Sequence, residues 1–403
     1  MTRERIVITG LGVISPLGCD PNSFHEALQN GKDGITTLEP RFPTGYKVNR
    51  AGLVRDFELE RFAEVANGSA LGRTAGLGIA ACAMARRHAG LRGAKRCGIV
   101  VGTALGEALE REVQWEARHG VPAASDSGAA VPEPAGMQRT IATALDLEGP
   151  CQLITSTCAS GNHAIDRACE ILKSGGADAM LALGVDTIGQ VDLLGFSRLL
   201  LQAPDACRPF DLKRKGTILS EGAGALLLER LSSARARSAD ILAEVVGCGL
   251  SCDAAGAFKG SVSDVRTLEL AAQSALREAG LAPDTIDFVS AHGSGTRLND
   301  ARETRFVRSL LGPRADEVPM SSIKSMLGHA QGAAAAFEAI ACVLCFQRDV
   351  LYPTIHFETP DPQCDMDCVP NAAREARVDL IMSNAFGVGG NNSIALFRRW
   401  EGA

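Results

Sequence analysis

Aromatic side chains are scarce in this chain: its 403 residues hold two Trp and two Tyr, and aromatics make up 4%. That composition argues against recognition built on aromatic surfaces. A positive excess is missing too, since 41 Lys and Arg face 47 Asp and Glu for a net charge of −6. No global basic field awaits nucleic acid, although a local basic patch for an acidic partner stays open. The longest apolar run, Ala333–Phe346, spans 14 residues and includes Glu338, short of the roughly 20 that cross a bilayer. The first ten residues show no secretory leader and run directly into a strand pattern, so the cytoplasm is the expected location. Thirteen cysteines cannot form a closed disulfide set, and most lie in apolar stretches where a thiol acts as a small hydrophobe. With 46% hydrophobic and 22% charged residues, the proportions are those of a globular protein long enough for two compact cores.

Glycine, by contrast, is abundant at 43 residues, about 11% against an average of about 7%. Short β-branched runs alternate with Ala/Leu-rich helical segments, the pattern of an α/β protein with helices packed closely on a sheet. The pattern repeats. Val7–Val13 is echoed by Val245–Ser251, each a strand leaving through Gly-x-Gly, and the helix ending at Ala89-Gly90-Leu91 is echoed by one ending at Ala279-Gly280-Leu281. Gly98–Val101 and Phe288–Ala291 keep that second offset of 190 residues, and Gly222–Glu229 resembles Asn391–Arg398. A duplicated fold follows, with halves 1–240 and 241–403. Leu231–Asp240 is short and charged, with no linker composition, so the halves should pack as one body. Glu110–Pro134 is polar and reads as an excursion from the first half, a flap or subunit contact.

Four turns carry candidate chemistry. Thr155–Gly161 places Cys158 between a strand and a helix, where unpaired N–H groups and the helix dipole favour thiolate over thiol. Ser290–Thr296 places His292 at the C-terminal end of a strand, where open α/β sheets put their sites. Ser321–His329 adds Lys324 and His329 before an Ala-rich helix, and two histidines beside a cysteine turn suggest nucleophilic chemistry. Asn384–Asn392, with three glycines in four positions, reads either as a loop offering an N–H to an oxyanion or as a tight turn between strands. His25, His88 and His119 read as surface residues. Ser321-x-x-Lys324 matches a serine-acylase pattern that short sequences produce by chance. Cys342, Cys345, Cys364 and Cys368 give a loosely zinc-like count, but the first pair lies in an apolar helix and suits a core. Gly10-Leu-Gly12 lacks the rest of a dinucleotide fingerprint.

Taken in order, these turns resemble the β-ketoacyl-acyl-carrier-protein synthases, condensing enzymes of the thiolase superfamily. The likeness runs through Ile8–Gly18, Thr157–Gly161, Arg208-Pro-Phe-Asp211, Glu221–Gly224, His292–Thr296, Lys324–His329 and Phe386–Asn391. It implies an α/β thiolase-like duplicated fold, two similar halves forming five layers (α-β-α-β-α). It also implies that Cys158 is acylated, that His292 and His329 bind the malonyl thioester carbonyl during decarboxylation, and that Lys324, Glu338 and Phe386 organise the site. The N–H groups of Cys158 and Val388 would form the oxyanion hole, and Ser294 and Thr296 would bond the pantetheine arm. No cofactor of its own is implied, since phosphopantetheine arrives on an acyl carrier protein. The family is dimeric, so a homodimer is expected, or a heterodimer with a ketosynthase-like subunit; no nucleic acid, membrane or metal is implied.

Cys158 argues against a chain-length-factor homologue, and His329 argues against the initiating synthases, so the elongating branch is favoured. Departures bear on substrate. Val388 stands where elongating fatty-acid enzymes often place a gating phenylalanine, Ser294 and Leu327 replace common threonines, and Ala63–Leu71 lacks a basic carrier-docking cluster. These suggest polyketide or polyene synthesis over housekeeping fatty-acid synthesis, with Arg198 a candidate for carrier docking. The other readings are a pocket-shaping subunit and an acyltransferase that uses acyl-Cys158 without condensation. Glu107, which follows the glycine-bounded turn 102–106, is an unexpected acid near the expected acyl tunnel or dimer surface, with simple solvent exposure the favoured reading.

Overall fold

The computed structural model describes residues 4–38, 48–62, 71–91, 96–120, 136–253 and 264–402. The main sheet has ten strands: β1 (Ile6–Ile14), β2 (Cys97–Gly102), β3 (Cys151–Ile154), β4 (Ala179–Asp186), β5 (Gly222–Arg230), β6 (Ala243–Cys252), β7 (Phe288–Ser290), β8 (Met320–Ser321), β9 (Leu380–Phe386) and β10 (Asn391–Arg399). Their spatial order is β8-β7-β9-β10-β6-β1-β5-β4-β2-β3. Each half thus runs 3-2-4-5-1 from its outer edge, and the two first strands, β1 and β6, pair antiparallel at the centre, with Ile6 opposite Val245. In both halves the outer three strands are mutually parallel and the fifth is antiparallel to its neighbours.

The helices that position the site are α1 (Arg73–His88), α2 (Ala108–Arg118), α3 (Ser160–Lys173), α4 (Gln190–Arg198), α5 (Arg266–Ala279), α6 (Arg297–Leu311) and α7 (Ala334–Arg348). Residues 334–346 of α7 are buried without exception, which marks a helix enclosed on all sides. Accordingly, α3 and α7 touch strands of both halves, while α1 covers β1, β4 and β5 and α5 covers β6 and β10 from outside. The result is five layers, with β4 buried along its whole length between helices. Gly161 permits the approach of the central helices, since a Cβ there would stand 2.8 Å from the Ala336 nitrogen.

Two expectations change. The start of the 110–134 excursion is helical, because α2 runs to Arg118; residues 121–134 lie outside the described residues. Glycines 387, 389 and 390 sit in the tight turn between β9 and β10, which also carries the Val388 N–H that faces Cys158, so the two readings of that loop are not exclusive. Ala63–Ala70, most of the segment without basic residues, also lies outside the described residues.

Candidate active site

Six chain segments leave the C-terminal ends of parallel strands toward one region: the turns after β2, β3 and β4 from the first half and after β7, β8 and β9 from the second. This is where an open parallel sheet leaves its strand ends and loops free to hold a ligand. Cys158 sits in the 3-10 turn Thr157–Ala159 at the head of α3 and is buried. Thr157 holds φ at +51°, a costly conformation for a β-branched residue. It is fastened by its hydroxyl, which donates to the Val388 carbonyl at 3.0 Å. Gly387 makes this clasp possible, because a Cβ there would collide with Thr157 Oγ1. Burial pushes the Cys158 thiol up; the Val388 N–H that faces it and the Lys324 charge pull it down, and Asp186 opposes them.

His292 and His329 meet edge to face, ring centroids 5.4 Å apart, and both are buried. Burial, with the Lys324 charge second, drives both imidazoles well below their ordinary value, so they are neutral at pH 7. The Phe386 N–H approaches His292 Nδ1 at 3.4 Å, which leaves the ring proton on Nε2. Lys324 Nζ donates to the His292 carbonyl at 2.6 Å and pairs with Glu338, which reaches it from α7. Burial raises the Glu338 carboxyl to about 7 against the pull of Lys324. The Phe386 ring stands 5.8 Å from that of His292.

Cys158, His292, His329, Ser294, Thr296, Phe386 and Val388 line one cleft of about 530 Å³, with Lys324 and Glu338 behind the histidines. The Ser294 and Thr296 hydroxyls are 2.9 Å apart on its wall. The other conspicuous cysteines do not join them: Cys342 and Cys345 belong to the central core and Cys364 and Cys368 to an outer one. Among the described residues no three metal-ligating side chains converge. His88 and His119 are exposed, whereas His25 is half-buried with Nδ1 2.8 Å from the Tyr352 hydroxyl.

Sequence reasoning missed two carboxylates. Glu303, fully buried on α6, accepts the backbone N–H groups of His292 (2.7 Å) and Gly293 (2.8 Å) and the Asn384 amide (2.9 Å). Asp186, at the end of β4, accepts from Thr103 Oγ1 (2.5 Å), the N–H groups of Ala104 and Leu105, and Gly332 N–H (2.6 Å). Each gathers the turn that follows the second strand of its half. Asp186 was open to the strand-end rule that found His292; Glu303 carries no local signal. Glu107 overturns its expectation, being only 4% exposed, with Oε1 unpartnered among the described residues. Desolvation, with Glu110 second, raises it to about 7.

Residues 3–234 match the family model of the beta-ketoacyl synthase N-terminal domain, and residues 242–358 match its C-terminal domain. Nodulation protein E of Rhizobium meliloti is 37% identical over 406 residues, spanning 98% of this chain and 99% of the relative. A 3-oxoacyl-[acyl-carrier-protein] synthase 2 of Synechocystis sp. is 34% identical over 415 residues, spanning 100% and 99%. The solved ishigamide ketosynthase/chain length factor superposes with a TM-score of 0.91 at 36% identity, covering 99% of this chain and 100% of that one. A type II polyketide ketosynthase, solved in complex with its acyl-carrier protein and bound to the hexaketide, gives a TM-score of 0.88 at 29% identity over 99% and 100%. Among the described residues no helix is long and apolar enough to cross a membrane. With both domain models matched in order and relatives aligned end to end, the chain belongs to the beta-ketoacyl synthases, the condensing enzymes of fatty-acid and polyketide synthesis.

Proposed function

We propose that this chain elongates an acyl group held as a thioester on Cys158, by decarboxylative Claisen condensation with a malonyl unit carried on phosphopantetheine. The observation that carries the reading is one arrangement: a buried thiol facing the Val388 N–H, with two neutral imidazoles in the same cleft. Cys158 attacks the incoming thioester, and its proton leaves on the departing pantetheine sulfur. The Cys158 and Val388 N–H groups hold the oxyanion of that step. Malonyl thioester then binds with its carbonyl toward the Nε2–H of His292 and the ring N–H of His329. Neutral donors fix the enolate charge as carbon dioxide departs, and the carbanion attacks the acyl-Cys158 carbonyl, expelling the Cys158 thiolate. Lys324, Glu338 and Phe386 orient the imidazoles rather than transfer protons. Ser294 and Thr296 bond the amides of the pantetheine arm. The scheme draws on no resident cofactor, because the arm comes and goes with the carrier.

Residues 1–240 supply the nucleophile in this reading, and 241–403 supply the histidines and glycine turn. Val388, 40% exposed on the cleft wall, gives a less obstructed approach than an aromatic side chain would, which favours polyketide or polyene chains. The edge strand β3 is half-buried, and its free N–H and C=O groups suit antiparallel pairing with a second copy or a ketosynthase-like subunit. Sedimentation at twice the 42.2 kDa chain mass supports the homodimer, and a stable monomer counts against it.

Intact-protein mass spectrometry after incubation with acyl-carrier thioesters tests the whole reading. A stoichiometric adduct, absent in Cys158→Ala, supports it, and extension by two carbons on adding malonyl-carrier separates condensation from simple acyl transfer. An adduct that forms only with a partner chain present favours the pocket-shaping alternative.

A further inference from the structure

The cleft wall climbs from the site to the surface along one segment: His292 and Ser294 are buried, Thr296 is half-buried, and Arg297 and Leu298 are exposed. Two ties bind this segment to the one bearing Lys215. Gly216 N–H donates to the Gly295 carbonyl at 3.0 Å, and Arg214 Nη2 donates to the Arg297 carbonyl at 3.2 Å. Arg214 is itself buried and anchored by Asp361 at 2.5 Å, with Asp300 at 3.7 Å. Lys215 is therefore flanked by a backbone tie at Gly216 and a side-chain tie from Arg214, both reaching the segment that bears Arg297, and the two cations line the same cleft.

Their charge is only weakly compensated: Asp361, already paired with Arg214, feels the Arg297 charge but forms no ion pair with it. The charged residues lining the cleft are Lys215, Arg297, Arg302 and Asp253, and Arg302 pairs with Asp253 at 2.9 Å. Among the described residues, neither Lys215 nor Arg297 forms an ion pair. A chain with a net charge of −6 thus keeps two open cations on the cleft rim. A guanidinium and an ammonium lining one cleft can share a phosphate, the first as a fork and the second as a point charge.

We propose that Lys215 and Arg297 form the subsite for the phosphodiester of the incoming phosphopantetheine arm. The assignment rests on the carrier-borne substrate of the preceding section. It adds that the phosphate is read by side chains of this cleft, and not only tolerated at its mouth. Arg297 and Lys215 hold the phosphate at the rim, Ser294 and Thr296 accompany the arm inward, and the thioester arrives at Cys158.

Three donors bearing the same acyl group separate the sources of the charge: S-acyl-pantetheine, which lacks phosphate, S-acyl-4′-phosphopantetheine, and the acyl carrier protein. The readout is the rate of Cys158 acylation by intact mass, for the parent protein and for Lys215→Gln/Arg297→Gln. Both side chains are exposed, so an unchanged melting temperature verifies the fold. The expected result is a loss of about ten-fold or more on both phosphorylated donors, with acyl-pantetheine altered less than about two-fold. Added salt should slow the parent protein on phosphorylated donors alone. Equal loss on all three donors, or none on any, overturns the subsite. Loss confined to the carrier protein overturns it too, assigning the cations to the carrier's acidic surface. Absence of acylation in the parent protein from every donor removes the condensing reading itself.

Discussion

The two halves of the sheet have the same strand order and put different chemistry at matching places. In the first half the third strand leads through a turn to a central helix, and that turn holds Cys158 at the head of α3. In the second half the corresponding passage, from β8 to α7, carries Lys324, His329 and Glu338. The turn after the second strand differs likewise: after β2 it is Thr103–Gly106, gathered by Asp186 from β4, and after β7 it is His292–Thr296, gathered by Glu303 from α6. The duplicated backbone supplies two sets of strand ends facing one cleft. In the proposed reaction the side chains would divide the labour, with a nucleophile from one copy and charge-stabilising donors from the other.

If that division is real, acylation and condensation can be broken separately. His329→Ala is expected to lower condensation by about 10²–10³-fold, the scale of losing one donor to a developing negative charge, while acyl-Cys158 still accumulates. Equal loss of both steps would erase the distinction between the copies. Lys324→Met should follow in size, because it strands the Glu338 carboxyl in the core. Destabilisation of about 3–5 kcal/mol in a denaturant titration is expected, largely restored in Lys324→Met/Glu338→Leu without restoring condensation.

A finer comparison pits Glu303 against Asp186. Glu303→Gln keeps the side chain's shape but loses one of two acceptor oxygens beneath His292. Single-turnover measurement should show condensation reduced about ten-fold with acylation little changed. Asp186→Asn, whose partners lie beside the thiol turn, should instead alter acylation and move its pH profile toward lower pH, because Asp186 raises the Cys158 thiol. Matching profiles in the two variants would deny that each carboxylate serves its own copy.

Protonation yields the smallest effects, and the histidines and the buried Glu107 shift in opposite directions. The histidines are held well below the ordinary value, so they should stay neutral through pH 6.5, and the condensation rate should fall only below that point. An acid limb at or above pH 6.5 would contradict their burial as neutral donors. Burial raises the Glu107 carboxyl from its ordinary value to about 7. Its protonated form therefore favours the fold below the unfolded value, and that contribution is lost as pH rises through about 7. Glu107→Gln should raise the melting temperature by a few degrees at pH 8 and leave it nearly unchanged at pH 4, as read by calorimetry.

The sequence was most informative where spacing is local. Cys158, His292, Lys324, His329 and the glycine run each announce themselves by a turn between recognisable elements. The duplication was legible because strands and capped helices recur in one order. Less was legible where the partner is distant. Glu303 reaches His292 from the next helix and Asn384 from another strand, and nothing in their spacing marks the contact. Glu107 reads as solvent-exposed in the sequence, yet at the head of α2 it is buried.

By itself the sequence determined the element types, the repeat, and which residue types stand at strand ends, because these follow from periodicity, capping and turn chemistry within a few residues. Tertiary structure alone decided that the strand ends of both halves face one cleft and that Gly387 clasps Thr157. It also decided that two carboxylates hold the turns and that Lys215 and Arg297 line one cleft, where among the described residues neither forms an ion pair. Those properties depend on backbone atoms and charges brought together across a hundred residues or more, where desolvation and hydrogen-bond geometry, invisible in a string of letters, set the outcome.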